Sequence, residues 1–131
     1  MDTKCRRYLR PNAASHEVIA AAMKVHSALG AGMFESAIEA CLSYEMRASG
    51  LHVRRQVRLP IVYRDVRLPT GYRVDYIVEE CLLVEIKCVE KVLPIHEAQL
   101  ITYLRLTKTH VGLLINFTVP LLKQGVKRMV V

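Results

Sequence analysis

Cysteine is scarce and unpaired in this chain: Cys5, Cys41, Cys81 and Cys88 are the only four, and no two stand in C-x-x-C spacing. A structural zinc site and a disulfide framework are therefore not indicated. Cys41 and Cys88 fall on apolar faces and read as small core residues. No apolar run reaches the roughly 18 residues that a membrane span requires, so no membrane partner is expected. The opening MDTKCRRYLRPN lacks the apolar segment of a signal peptide, which makes a cytoplasmic location the expectation. Internal repeats and low-complexity tracts are also missing. Aromatics make up 6% of the residues. The series Arg54, Arg55, Arg58, Arg64 and Arg67 is not interleaved with them as a single-strand stacking platform would be. That series reads as a solvated face or as a weak phosphate-tracking stripe.

What remains is apolar and basic. Hydrophobic residues are 52% of the 131, which excludes global disorder and is enough for one domain with a real core. The net charge of +7 favours a polyanionic partner but says nothing about fold. Lys4, Arg6, Arg7 and Arg10 crowd the start, so residues 1–14 read as a basic arm and residues 15–131 as a single domain.

Periodicity then orders the elements. Ser15 is placed to cap a helix with Glu17 in its first turn, running to Leu29 with Val18, Ala22, Val25 and Leu29 at helical spacing. Gly30 ends it. His26, near that end, reads as a partly buried histidine satisfied by backbone. A second helix, Phe34 to Ala48, carries Ile38, Leu42 and Met46 on one side, with Glu35 on that same inward face. Its first-turn position suits an acid by about 0.3–1 kcal/mol, but facing inward also requires a partner. Residues 52–63 alternate as a half-exposed strand, and residues 63–67 read as strand end and turn. After Pro94 comes a third helix, with Leu100 and Leu104 on one line and Gln99, Tyr103 and His96 on another. Val111 to Phe117 is a buried strand by its continuous apolar character, and a turn and short closing strand finish the chain.

The stretch Gly71–Val89, GYRVDYIVEECLLVEIKCV, organises the rest. Strand alternation puts Val74, Tyr76 and Val78 on one face, and Leu82, Val84, Ile86 and Cys88 on the matching face of the next run. Bringing these sets together pairs Val78 with Leu82, Tyr76 with Val84 and Val74 with Ile86 around a three-residue turn, Glu79–Cys81. Asp75 then faces Glu85, with Lys87 beside it. Two carboxylates about 5 Å apart repel by about 3 kcal/mol at an effective dielectric near 20. A surface ion cluster with Lys87 would offset this. So would a hard divalent ion such as Mg²⁺, with the lysine orienting a water or stabilising developing charge.

These residues in this order resemble the PD-(D/E)xK nuclease superfamily. More closely, the chain is similar to its GxxExxY proteins, through ALGAGMFES, GYRVDYIV, VEIK, HEAQLITYLRL and GLLINFTVPLLKQGVKR, from about Val18 to Val131. The resemblance implies an α/β fold, a small mixed β-sheet flanked by helices with a restriction-endonuclease-like core. It implies Mg (or Mn)-dependent hydrolysis of phosphodiester bonds in nucleic acid. Asp75, Glu85, the carbonyl of Ile86 and Glu35 would hold the metal, Lys87 would be catalytic, and Gln99 and Tyr103 would support the site and the bound strand. Val74 replaces the proline of the superfamily motif, and Ile38 the aromatic of G-x-x-E-x-x-Y. Targeting would come from nucleic-acid shape, a homodimer or a partner protein. The alternative is a catalytically silent nuclease-like module that binds nucleic acid or a partner protein.

Overall fold

A computed structural model of the protein describes residues 7–131, the side chain of Thr70 excepted. Lys4, Arg6, Cys5 and the rest of residues 1–6 of the expected arm lie outside the described residues. The first helix, α1 (Pro11–Leu29), opens at Pro11 and not at Ser15. Proline suits the first helical position because its missing N–H would have no partner there and its φ is already helical. Ser15 is instead buried inside the helix with its hydroxyl unpaired, Ala14 is buried beside it, and no acid occupies the first turn. Residues 11–14 of the expected arm are thus helical. Tyr8 and Leu9 already engage the domain: the Leu9 N–H donates to Glu79 Oε1 at 2.9 Å, and the Tyr8 ring lies 5.3 Å from that of His52.

Gly30, at φ +76°, turns the chain out of α1 towards α2 (Glu35–Ala48). Among the described residues the sheet has five strands in the order β1 (Val53–Tyr63), β2 (Val66–Val78), β3 (Leu82–Lys87), β4 (Val111–Asn116) and β5 (Val126–Val130). Only β3 and β4 run parallel; the helix α3 (Pro94–Thr107) crosses between them, and the other neighbours are antiparallel. This is the expected α/β mixed sheet flanked by helices. Val18, Ala22, Val25, Ile38, Leu42 and Met46 of α1 and α2 pack on one face, against Tyr76, Val78, Val84, Ile86 and Ile115. Leu100, Tyr103 and Leu104 of α3 pack on the other, against Leu59, Val74, Ile77, Leu83 and Leu114. Burial of each such large side chain contributes about 1.5–3 kcal/mol. Covered on both sides, β3 and β4 read as continuous apolar runs. Among the described residues no helix is long and apolar enough to cross a membrane.

The simple alternation expected of β2 fails at one point. Val74 packs on the α3 side, whereas Tyr76 and Val78 pack on the α1/α2 side. Residues two apart on a regular strand share a face, so the backbone kinks at Asp75. Opposite this kink, between the pairs Arg55–Tyr76 and Val57–Val74, Gln56 has φ +50°. A non-glycine residue in that region marks local irregularity, and beyond it Val57 and Leu59 turn to the α3 side. The expected pairs Tyr76–Val84 and Val78–Leu82 form, but the ladder stops there and no Val74–Ile86 pair follows. The three-residue turn is present, with the Cys81 N–H donating to the Val78 carbonyl across Glu79 and Glu80, both at φ +51°.

Candidate active site

Where the β2–β3 ladder ends, side chains take over its hydrogen bonds. The Asp75 N–H donates to Glu85 Oε1 at 2.6 Å, and the Ile86 N–H donates to Asp75 Oδ2 at 2.9 Å. Each acid thus accepts from the other strand's backbone, which fixes both carboxyl groups at the mouth of the split between strands. Glu85 is 5% exposed. Burial and the neighbouring Asp75 push its carboxyl up to about 8, against the pull of the Asp75 N–H and Lys87. Burial also raises Asp75, Glu35 adds to that, and the Ile86 N–H and Lys87 act the other way. Among the described residues no cation forms an ion pair with either acid. The pair is therefore not the solvated surface cluster that composition alone allowed.

A hollow of about 480 Å³ opens over the pair. Its walls bring together every side chain expected from sequence: Glu35 from the first turn of α2, Asp75, Glu85 and Lys87 from the hairpin, and Gln99 and Tyr103 from α3. Glu35 is exposed and reaches the hollow from its rim, not from the buried face assigned to it by helical spacing. Ile86 lines an adjoining recess with Glu35 and Asp75. Tyr103 is buried; burial, with Glu85 and Asp75 nearby, raises its hydroxyl to about 12, and the main chain of Arg73 acts the other way. His96, by contrast, is occupied at the start of α3, where its Nδ1 accepts the Leu93 N–H at 3.0 Å. His26 lies 2.9 Å from the Val119 carbonyl through Nε2, the backbone-satisfied state expected of it.

Sequence reasoning missed a second buried acid. Glu39, one helical turn after Glu35, is gripped by the Arg55 guanidinium at 2.6–3.2 Å and by Gln56 Nε2 at 3.1 Å. Tyr76 donates its hydroxyl to the Glu39 carbonyl. The i, i+4 spacing from Glu35 was visible, but its partner lies on a strand and no local pattern reveals it. Arg54 is likewise spent, forked onto Glu80 at 2.8 and 3.0 Å. The hollow is instead lined by Arg58 and by Arg73, the latter also unnoticed in the sequence.

Among the described residues no three His, Cys, Asp or Glu side chains gather closely enough to hold an ion by themselves. The donor set nevertheless fits one: two carboxylates, each with an oxygen left over from its backbone bond, match a cation that completes its shell with water and phosphate. No curated protein and no solved structure gives a significant match to the chain. A family model, however, matches residues 12–129, spanning all three helices and nearly the whole sheet. By that match, and with a sheet that sets its acids and lysine in one hollow, the chain belongs to the PD-(D/E)XK nuclease superfamily.

Proposed function

We propose that the protein is a divalent-metal-dependent nuclease that hydrolyses phosphodiester bonds, of the GxxExxY type, acting in the cytoplasm. The observation that carries this reading is the crossed pair of backbone–carboxylate bonds, which holds Asp75 and Glu85 together without a neutralising cation. A chain gains nothing in stability from desolvating two adjacent acids whose pKa values both rise; a ligand of opposite charge relieves them.

Asp75, Glu85 and the main-chain carbonyl of Ile86 would hold Mg²⁺ or Mn²⁺, with Glu35 at the rim of the hollow completing the site through water. When bound, such an ion polarises a phosphoryl oxygen and lowers the pKa of water. Lys87 stands on the same strand face as Glu85, where its ammonium group orients the attacking water and balances charge gathering on the phosphate. Gln99 offers an amide to the strand, and Tyr103 keeps a neutral hydroxyl at the wall of the hollow. A silent binding module would need none of the acids, since they oppose a phosphate backbone unless a cation intervenes.

Titration calorimetry with Mg²⁺ and Mn²⁺ tests the site. Heat with the wild type that disappears in Asp75→Ala supports it; no heat, or equal heat, removes the metal. Incubating the protein and Glu85→Ala with labelled DNA and RNA, single- and double-stranded, tests the activity. Specific cleavage by the wild type alone supports a nuclease, and its absence with metal bound leaves the binding module.

A further inference from the structure

The hollow has two chemically different walls. On the α3 side stands Tyr72, exposed, with its ring 5.4 Å from that of Tyr103. Its register partner Leu59 packs on the same side. Arg58 and Arg73 alternate with Leu59 and Tyr72, so they lie on the α2 side, where Glu35 also stands. These two arginines are register partners, directly opposite on antiparallel strands. Like charges in that position are destabilising. Among the described residues neither guanidinium is paired with a carboxylate, although Arg54 and Arg55 on the same strand both are. A strand that neutralises two of its arginines and leaves a third facing a like charge at a cavity presents an anion site.

The local backbone holds this arrangement. At Gly71 the strands press so closely that a Cβ would lie 1.9 Å from the Leu59 carbonyl oxygen. The register shifts just beyond, between Leu59 and Ile61, which fixes where Tyr72 and Arg73 emerge. The volume of about 480 Å³ falls in the range of roughly 300–1,000 Å³ that suits one small-molecule-sized group, not a duplex.

We propose that the hollow takes a single unpaired nucleotide of a DNA or RNA strand, with its base against Tyr72 and the adjoining phosphate on Arg58 and Arg73. The class of ligand rests on the proposed function; the unpaired state rests on the two walls. A base inside a duplex has both faces covered by its neighbours and offers none to a tyrosine. The sequence hid this platform because its parts come from three elements: Tyr72 and Arg73 from β2, Arg58 from β1 and Tyr103 from α3.

Fluorescence anisotropy on the full chain carrying Glu85→Gln, which prevents cleavage, tests the proposal with labelled single-stranded DNA, single-stranded RNA and blunt duplex DNA. Single strands are expected to bind at least about tenfold more tightly than the duplex. Tyr72→Ala should weaken single-strand binding roughly tenfold, the scale of one stacked base, while Tyr72→Phe retains it. Arg58→Ala and Arg73→Ala should each reduce the salt slope by about 0.7. The DNA and RNA arms identify which strand is held. Equal affinity for duplex and single strand, or unchanged binding in Tyr72→Ala, overturns the proposal. Its failure is separable from that of the nuclease reading: cleavage without single-strand preference removes only this inference. Tyr72-dependent single-strand binding without cleavage by the wild type removes only the nuclease.

Discussion

Two acid centres meet at one recess, which Glu39 and Asp75 both line, and they are built on opposite principles. Glu39 is enclosed by the Arg55 fork and the Gln56 amide, so its charge is matched inside the fold. Asp75 and Glu85 receive one backbone N–H each and no ion pair among the described residues, and both are raised. The first centre joins α2 to β1. The second is left electrostatically incomplete among the described residues. What separates the two centres is the presence or absence of a cationic partner, not the presence of an acid.

Breaking the incomplete centre at its lysine should have the largest effect. Lys87→Ala is expected to lower cleavage at least about 100-fold, the scale of removing one charge-stabilising group, while Mg²⁺ affinity by calorimetry changes little. Cleavage at the wild-type rate would take the lysine out of the chemistry. The matched centre should respond in stability and not in activity. Arg55→Ala leaves Glu39 buried without its cation and should cost about 2 kcal/mol in urea unfolding. That is below the 3–5 kcal/mol of fully buried pairs, because Arg55 is 39% exposed. Unchanged stability would show that the fork is ornamental.

A third experiment sharpens the contrast by pH. Because the Glu85 carboxyl is raised from 4.5 to about 8, the folded state holds its proton more tightly than the unfolded chain does. Its contribution is fully present below the unfolded value and is lost as pH rises towards about 8. Metal-free protein should therefore melt at a lower temperature at pH 8.5 than at pH 5.5. Glu85→Gln should raise the pH 8.5 midpoint by about 3–6 °C, since roughly 1–2 kcal/mol shifts a domain of this size by that much. A lower midpoint in the variant would mean that the acids do not oppose folding. The smallest effect is expected outside both centres. Removing residues 1–6 takes away Lys4 and Arg6 and should flatten the salt dependence of single-strand binding by at most about 1.4.

The sequence made the chemistry of the site more legible than its backbone. Period-two patterning located Asp75, Glu85 and Lys87 and paired Tyr76 with Val84, because the rungs from Tyr76 to Val78 pair regularly with β3. It failed at Val74, where the face changes through a kink at Asp75, opposite Gln56, that no glycine or proline announces. Helical spacing found Gln99 and Tyr103 but turned Glu35 inward, since it cannot tell a buried face from the rim of a cavity. Pro11 carried a readable helix start that Ser15 obscured. Arg55–Glu39 and Arg58–Arg73 depend on which strand lies beside which element, and that is a property of the assembled sheet alone.

The last rungs between β2 and β3 are drawn from carboxylates instead of carbonyls. Two amides, those of Asp75 and Ile86, consequently sense whatever those carboxylates are doing. Their nitrogen and proton resonances should move when the acids take up a proton, and move differently when a cation arrives. The fold thereby carries its own spectroscopic gauge of occupancy, readable in solution without any substrate or label.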